Sequence, residues 1–208
     1  MATNKPSLEN AYALETPDDN RRLYAGWATT YDASFAQAMD YQMPGVIAAV
    51  FAQVGGGKSP VLDVGAGTGL LAEALPRGLE IDALDISPEM LEVAAGKGVY
   101  RQTLLGDLMG QLAIADETYA AIVSAGTFTH GHVGPQALDE LIRVAQAGAV
   151  FVLGVNAQHF ESWGFAAKFD ALEPVIRGFE TQDVPIYGPG ATGEHKDDLV
   201  RVVVFSKR

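Results

Sequence analysis

Apolar and polar positions along the chain follow two different periods. Over residues 20–53 the period is helical: Tyr24, Trp27 and Tyr31 recur at spacings of three and four, and a second stripe runs through Val46, Ile47, Val50 and Phe51. Pro44 and Gly45 begin the second helix, and Gly55, Gly56 and Gly57 end it. Strand and helix signals then take turns. Residues 59–64 read as a strand, 70–75 as a helix and 80–85 as the next strand. Ser87 caps a further helix, with Pro88 at its first position. Residues 99–105 and 119–125 read as strands and 135–147 as a helix. Residues 149–155 are nearly all apolar, as expected of a strand covered on both faces. This alternation predicts an α/β fold, with helices on both faces of a mostly parallel sheet. The tail breaks the pattern. Residues 161–171 read as a helix, and 178–187 and 199–206 as two strands joined across the turn-forming segment 188–193. Such a pair closes one sheet edge in antiparallel fashion.

Composition narrows the class. A chain of 208 residues with 48% hydrophobic and 19% charged positions has the makings of one globular domain. No apolar run approaches the ~18 residues of a membrane span. The start, polar and carrying Pro6, lacks the apolar core of a secretory signal. The absence of cysteine excludes disulfides, thiolate metal sites and cysteine nucleophiles, and fits a cytoplasmic protein. Acidic residues outnumber basic ones by 26 to 14, a net charge of −12, and the basic pair Arg21-Arg22 lies just past Asp18-Asp19. Nucleic acid and anionic membranes are therefore not expected as partners. The oligomeric state is not legible.

The most informative segment is Asp63-Val64-Gly65-Ala66-Gly67-Thr68-Gly69, where a buried strand runs into a glycine turn. Glycine takes positive φ and lets a ligand approach without a Cβ in the way. A dinucleotide fingerprint spaces its glycines as G-x-G-x-x-G around a pyrophosphate. Here the spacing is G-x-G-x-G, and Leu70 stands where the third dinucleotide glycine belongs. Asp63, two residues ahead of the first glycine, would repel a pyrophosphate but suits a cationic ligand. A second acid, Asp85, ends the strand 20 residues past Gly65, where a carboxylate can accept from both hydroxyls of a ribose or simply cap the next helix. A third, Asp107, follows Gly106 after the third strand. It can accept from an adenine amino group while the next backbone N–H meets a ring nitrogen, or it can merely form a turn.

These three segments, in this order, resemble the motifs of class I S-adenosylmethionine-dependent methyltransferases. Tyr24-Ala25-Gly26-Trp27-Ala28-Thr29-Thr30-Tyr31-Asp32 is similar to the lead-in of small-molecule members. Together with residues 124–133 it resembles the Williams–Beuren-region methyltransferase-like proteins. The resemblance spans roughly residues 24–156. One departure is Ala120 after Tyr119, where many relatives carry Asp; it reads as a lost peripheral contact.

The resemblance implies a Rossmann-like, seven-stranded, mostly parallel sheet of order 3-2-1-4-5-7-6 with strand 7 antiparallel. It also implies an N-terminal helical lid. Residues 1–20 then form a flexible arm ahead of a single domain, 21–208. Within that domain, 21–57 are the lid and first helices, 58–156 the cofactor-binding core, and 157–208 the C-terminal helix and strand pair. The implied cofactor is S-adenosyl-L-methionine. Its expected site comprises Tyr24 and Tyr31 from the lid, Asp63, Gly65, Ala66, Gly67 and Gly69 from the loop, and Asp85, Ile86 and Met90 after the second strand. Gly106, Asp107 and Leu108 after the third strand and Ser124, Ala125 and Gly126 at the fourth complete it.

Methyl transfer needs alignment and, for some acceptors, a base. The acceptor is expected outside the C-terminal strand ends, near the loop after strand 4. That loop carries His130 and His132, either of which can take a proton from a hydroxyl or amine or simply shape the pocket. An acceptor that arrives already ionised needs neither. No third ligand accompanies the two histidines, so no metal site is expected. Trp27 reads as core. Phe160, Trp163, Phe165 and Phe169 can wall an acceptor pocket or belong to the core. The expected activity is methyl transfer to a small organic acceptor. Two alternatives stand beside it: a cofactor-binding member that methylates nothing, and an NAD(P)-dependent oxidoreductase, which the glycine spacing and Asp63 oppose.

Overall fold

The computed structural model describes residues 17–129 and 133–208. The seven strands are β1 (Val61–Val64), β2 (Ile81–Asp85), β3 (Gln102–Leu105), β4 (Tyr119–Phe128), β5 (Ala145–Asn156), β6 (Ile176–Pro185) and β7 (Leu199–Lys207). They form one sheet in the order β3-β2-β1-β4-β5-β7-β6. Strands β1 to β5 pair in parallel, while β7 runs antiparallel to both β5 and β6. The α/β class, the strand order and the antiparallel strand 7 all match the expectation.

The helices are α1 (Pro17–Trp27), α2 (Met43–Val54), α3 (Leu70–Ala74), α4 (Pro88–Gly96), α5 (Ala137–Val144), α6 (Ala157–Ser162) and α7 (Phe165–Leu172). A π-helical turn, Asp32–Gln37, lies between α1 and α2. Among the described residues no helix is long and apolar enough to cross a membrane.

The sheet has two covered faces because successive strand residues point to opposite sides. In β1, Leu62 and Val64 join one apolar cluster and Val61 joins the other. On the first face α5, α6 and α7 pack against Ile122, Phe151, Leu153, Val203 and Phe205. On the second face Leu23 and Trp27 of α1, Ile47 and Phe51 of α2, and Leu71 of α3 pack against Val61, Val123 and Val152. Asp63 and Asp85 lie in phase with Val61 and Ile81, so their carboxyls belong to this second face.

Several boundaries differ from the sequence reading, three of them in the elements themselves. The helix expected over 135–147 ends at Val144, and β5 begins at once with Ala145, paired to Tyr119. Ala145-Gln146-Ala147 favours helix by intrinsic propensity, and strand pairing overrides that preference. Gly148, at φ +75°, takes the left-handed backbone that a helix cannot continue through. The helix expected over 161–171 is two helices, broken at Gly164 (φ +83°). The helical stretch 20–53 is likewise three pieces, α1, the π turn and α2.

Candidate active site

The C-terminal ends of β1, β2 and β4 open onto a cleft. Tyr24, Tyr31, Asp63, Gly65, Ala66, Gly67, Asp85, Ile86, Met90, Gly106, Asp107, Leu108, Ala125 and Gly126 all line it. The structure thus brings together most of the residues that the sequence assigned to one site. Gly69 and Ser124 stand apart from that lining. Ser124 is fully buried and donates to the Val64 carbonyl at 2.8 Å, tying β4 to β1. Gly69 caps α3 at φ +90°, and a Cβ there would lie 2.9 Å from the Tyr100 ring. Both positions shape the walls rather than face the cleft. His130 and His132 lie outside the described residues.

The glycine loop is held from two sides. The N–H groups of Gly65 and Ala66 donate to the Leu84 carbonyl at 2.8 and 3.1 Å. The Gly67 N–H donates to Asp85 Oδ2 at 2.8 Å, while the Ser87 N–H donates to Asp85 Oδ1 at 2.9 Å. Asp85 therefore both braces the loop and ties down the start of α4. A carboxylate has four lone-pair sites, so these backbone bonds still leave room for a ligand hydroxyl. A Cβ on Gly65 would collide with Thr127, whereas one on Gly67 would enter open space. Gly65 is thus demanded by packing, and Gly67 leaves an approach free for a ligand.

Asp63 is 1% exposed, and its carboxylate accepts one side-chain hydrogen bond, from the Tyr100 hydroxyl at 2.7 Å. Burial pushes its pKa up to about 7, and the nearby Asp85 carboxylate adds to the rise, while the Tyr100 bond opposes it. Burial also raises Asp85 above the usual carboxylate range, against its bonds to the backbone N–H groups of Ser87, Gly67 and Ile86. Asp107 accepts from the Met109 N–H at 2.9 Å, the turn role, and still lines the cleft. A buried acid and a half-buried one, with little positive charge beside them, make a cleft that fits a cationic ligand. The ammonium and sulfonium of S-adenosylmethionine supply such charge.

Tyr24 of α1 and Tyr31 before the π turn border this cleft. Tyr24, Trp27, Tyr31 and Phe35 form a run of rings, with Trp27 5.3 Å from Tyr31 and 5.2 Å from Phe35 between centroids. Asp32 accepts from the Thr68 hydroxyl of the glycine loop and pairs with Lys97 at 2.7 Å. Lys97, just past α4, also holds Glu73 of α3 at 2.7 Å. The aspartate of the lid motif is therefore fastened to the glycine loop itself.

Sequence reasoning missed Tyr41, Thr127, Tyr100 and this Asp32–Thr68–Lys97 tie. The Tyr41 hydroxyl donates to the Ala125 carbonyl at 3.3 Å, and a Cβ on Gly126 would lie 2.6 Å from it. The paired Tyr31-Asp32 of the lead-in carried a signal for the tie. Nothing local marks Tyr100 or Tyr41. Of the two readings of the aromatic group after β5, the core one holds for Phe160, Phe165 and Phe169, which are buried in the cluster on the opposite face of the sheet. Trp163 is 48% exposed and packs against His159, so none of the four walls this cleft. Among the described residues no group of His, Asp or Glu is arranged to hold a metal ion.

A strand order of this kind with a glycine loop and acids at its C-terminal edge defines a Rossmann-like methyltransferase architecture. Comparison with known proteins agrees. A family model described as a methyltransferase domain matches residues 62–153. The chain is 34% identical over 171 residues to methyltransferase-like protein 27 of Homo sapiens, an alignment covering 76% of this chain and 68% of that protein. It is 34% identical over 98 residues to malonyl-[acyl-carrier protein] O-methyltransferase of Serratia marcescens, covering 47% of this chain and 38% of that one. The crystal structure of a SAM-dependent methyltransferase from Aquifex aeolicus superposes with a TM-score of 0.59 at 19% identity, covering 87% of this chain and 97% of that one. The chain belongs to the class I S-adenosylmethionine-dependent methyltransferases, whose cofactor is S-adenosyl-L-methionine.

Proposed function

We propose that this protein transfers a methyl group from S-adenosylmethionine, by in-line displacement, to a small organic acceptor. The observation that carries the reading is Asp63: a carboxyl buried at the floor of the cleft, its pKa raised by that burial to about 7. In this reading Asp63, with Asp85 beside it, receives the cationic methionine end. Asp85 also meets the ribose, and Asp107 with the Leu108 N–H meets the adenine. When bound, the cofactor supplies an electrophilic methyl group. The chain's own residues hold the reactants in line and exclude water. Tyr24 and Tyr31 close the lid side, where neutral aromatic faces add attraction toward a positive sulfur. His130 and His132 belong to the proposal as candidate bases for acceptors that must lose a proton.

Calorimetric titration with S-adenosylmethionine, S-adenosylhomocysteine and NAD(H) tests the cofactor assignment. Binding of both sulfur compounds supports it, and binding of NAD(H) alone would overturn it. Asp85→Ala is expected to weaken cofactor binding by about 1–3 kcal/mol, the scale of a lost hydrogen bond involving a charged group. Wild-type affinity in that variant would remove Asp85 from the site. His132→Ala tests the base once an acceptor is in hand: a turnover rate unchanged at every pH dismisses that role.

A further inference from the structure

A second chamber adjoins the cleft and shares Tyr24, Tyr31, Tyr41, Ala125 and Gly126 with it. Residues 40–42 fold onto 186–188 to close it: Tyr41 bridges Tyr187, the Gln42 N–H donates to the Ile186 carbonyl at 3.0 Å, and the Gly188 N–H to the Asp40 carbonyl at 2.8 Å. Its walls are mostly aromatic, from Tyr24, Trp27, Tyr31, Phe35, Tyr41 and Tyr187. The ring planes are tilted against one another: Phe35 and Tyr41 lie 5.6 Å apart at 48°, and Phe35 and Tyr187 6.3 Å apart at 84°. Thr129 and Asn156 add small polar groups. No Asp, Glu, Lys or Arg is among the described residues that line it.

We propose that this chamber is the acceptor subsite and that it selects an uncharged, planar ring compound. The proposal rests on the methyltransferase reading above. Magnitudes decide among the acceptor classes. A charged acceptor entering the chamber would give up hydration worth several kcal/mol and meet no opposite charge on these walls. Aromatic faces return only about 0.5–2 kcal/mol to a cation. A carboxylate finds no cationic side chain and has Asp63 and Asp85 in the adjoining cleft. A flat neutral ring loses little hydration and gains stacking and edge contacts worth roughly 0.5–1.5 kcal/mol per ring pair. Burial holds the hydroxyls of Tyr24, Tyr31 and Tyr41 well above their ordinary pKa of 10, so the walls stay neutral at physiological pH.

Trp27 makes the proposal measurable. The chain has two tryptophans, and Trp163→Phe leaves Trp27 in the chamber wall as the sole emitter. That protein, saturated with S-adenosylhomocysteine, is titrated at about pH 8 with quinoline, benzylammonium, benzoate and cyclohexanol. Quinoline should change Trp27 emission saturably and bind at least about tenfold more tightly than the other three. Adding Thr129→Phe, at a side chain that lines the chamber but not the cofactor cleft, should remove quinoline binding while S-adenosylhomocysteine still binds. Equal or tighter binding of benzylammonium, benzoate or cyclohexanol would overturn the proposal, as would quinoline binding that ignores Thr129→Phe or no binding at all. Failure of S-adenosylhomocysteine to bind, with quinoline still seated beside Trp27, would defeat the cofactor reading instead and leave the chamber's selectivity standing.

Discussion

Asp63 and Asp82 sit on neighbouring strands, one on each face of the sheet, and both are essentially inaccessible. Their surroundings differ sharply. Asp82 accepts from Arg101 through both Nε (2.9 Å) and Nη2 (2.7 Å), from Gln102 at 2.8 Å and from the Tyr119 hydroxyl at 2.8 Å. Burial would raise its pKa, but these partners outweigh that and hold it below the usual carboxylate range. Asp63 has the single Tyr100 bond and rises to about 7. A buried acid with a full set of partners is structural; the same residue left short of positive charge is suited to take up a cation. The contrast assigns the working face of the sheet to α1, α2 and the glycine loop. The opposite face, with its phenylalanine core, is scaffold.

The comparison can be broken from either end. Asp82→Ala leaves the buried Tyr119 hydroxyl without its acceptor and should destabilise the fold by about 3 kcal/mol in urea unfolding. Cofactor affinity per folded molecule should stay as it was. Asp63→Asn keeps an acceptor for Tyr100 but not the charge. It should weaken S-adenosylmethionine binding by roughly 10–100-fold, the cost of a lost charged hydrogen bond.

The same change should act oppositely on the ligand-free fold. A raised carboxyl pKa means that the native state holds its proton more tightly than the unfolded chain. Its contribution to stability is fully present below the unfolded value of about 3.8 and is lost as pH rises through about 7. Asp63→Asn should therefore be the more stable protein at pH ~8, by on the order of 2 kcal/mol, and should lose this pH dependence in thermal or urea melts. Tyr100→Phe removes the bond that lowers the Asp63 pKa. It should shift the pH midpoint of cofactor binding upward and weaken binding at pH ~7 by about 1 kcal/mol. The smallest effect is expected of Lys97→Met, which frees Asp32 from α3 and α4. Stability should change by less than about 1 kcal/mol, while stopped-flow dissociation of the cofactor quickens.

Much of this was legible in the chain. Alternating periods gave the layered fold, because strands covered on both faces read as apolar runs between amphipathic helices. The glycine spacing and the acids Asp63, Asp85 and Asp107 located the cleft, because a loop that must admit a ligand tolerates few residue types. What stayed hidden depends on distant partners. Tyr100 reaches Asp63 across 37 positions, and Tyr41 reaches Ala125 across 84. Asp82, in the same strand as Asp85, looked unremarkable until its partners were in place. Periodicity could not say which face of the sheet received each aromatic group. The rings after β5 therefore turned out to be scaffold, and the lid rings before α2 form the chamber.

The most direct test is the pH dependence of S-adenosylmethionine affinity, measured by calorimetry for the wild type and Asp63→Asn. A cationic ligand requires the ionised carboxylate, so wild-type affinity should rise with pH and level off above about 7, with proton release on binding below that point. Asp63→Asn should bind weakly and without this rise. Identical, pH-independent affinity in the two proteins would contradict the role given to Asp63.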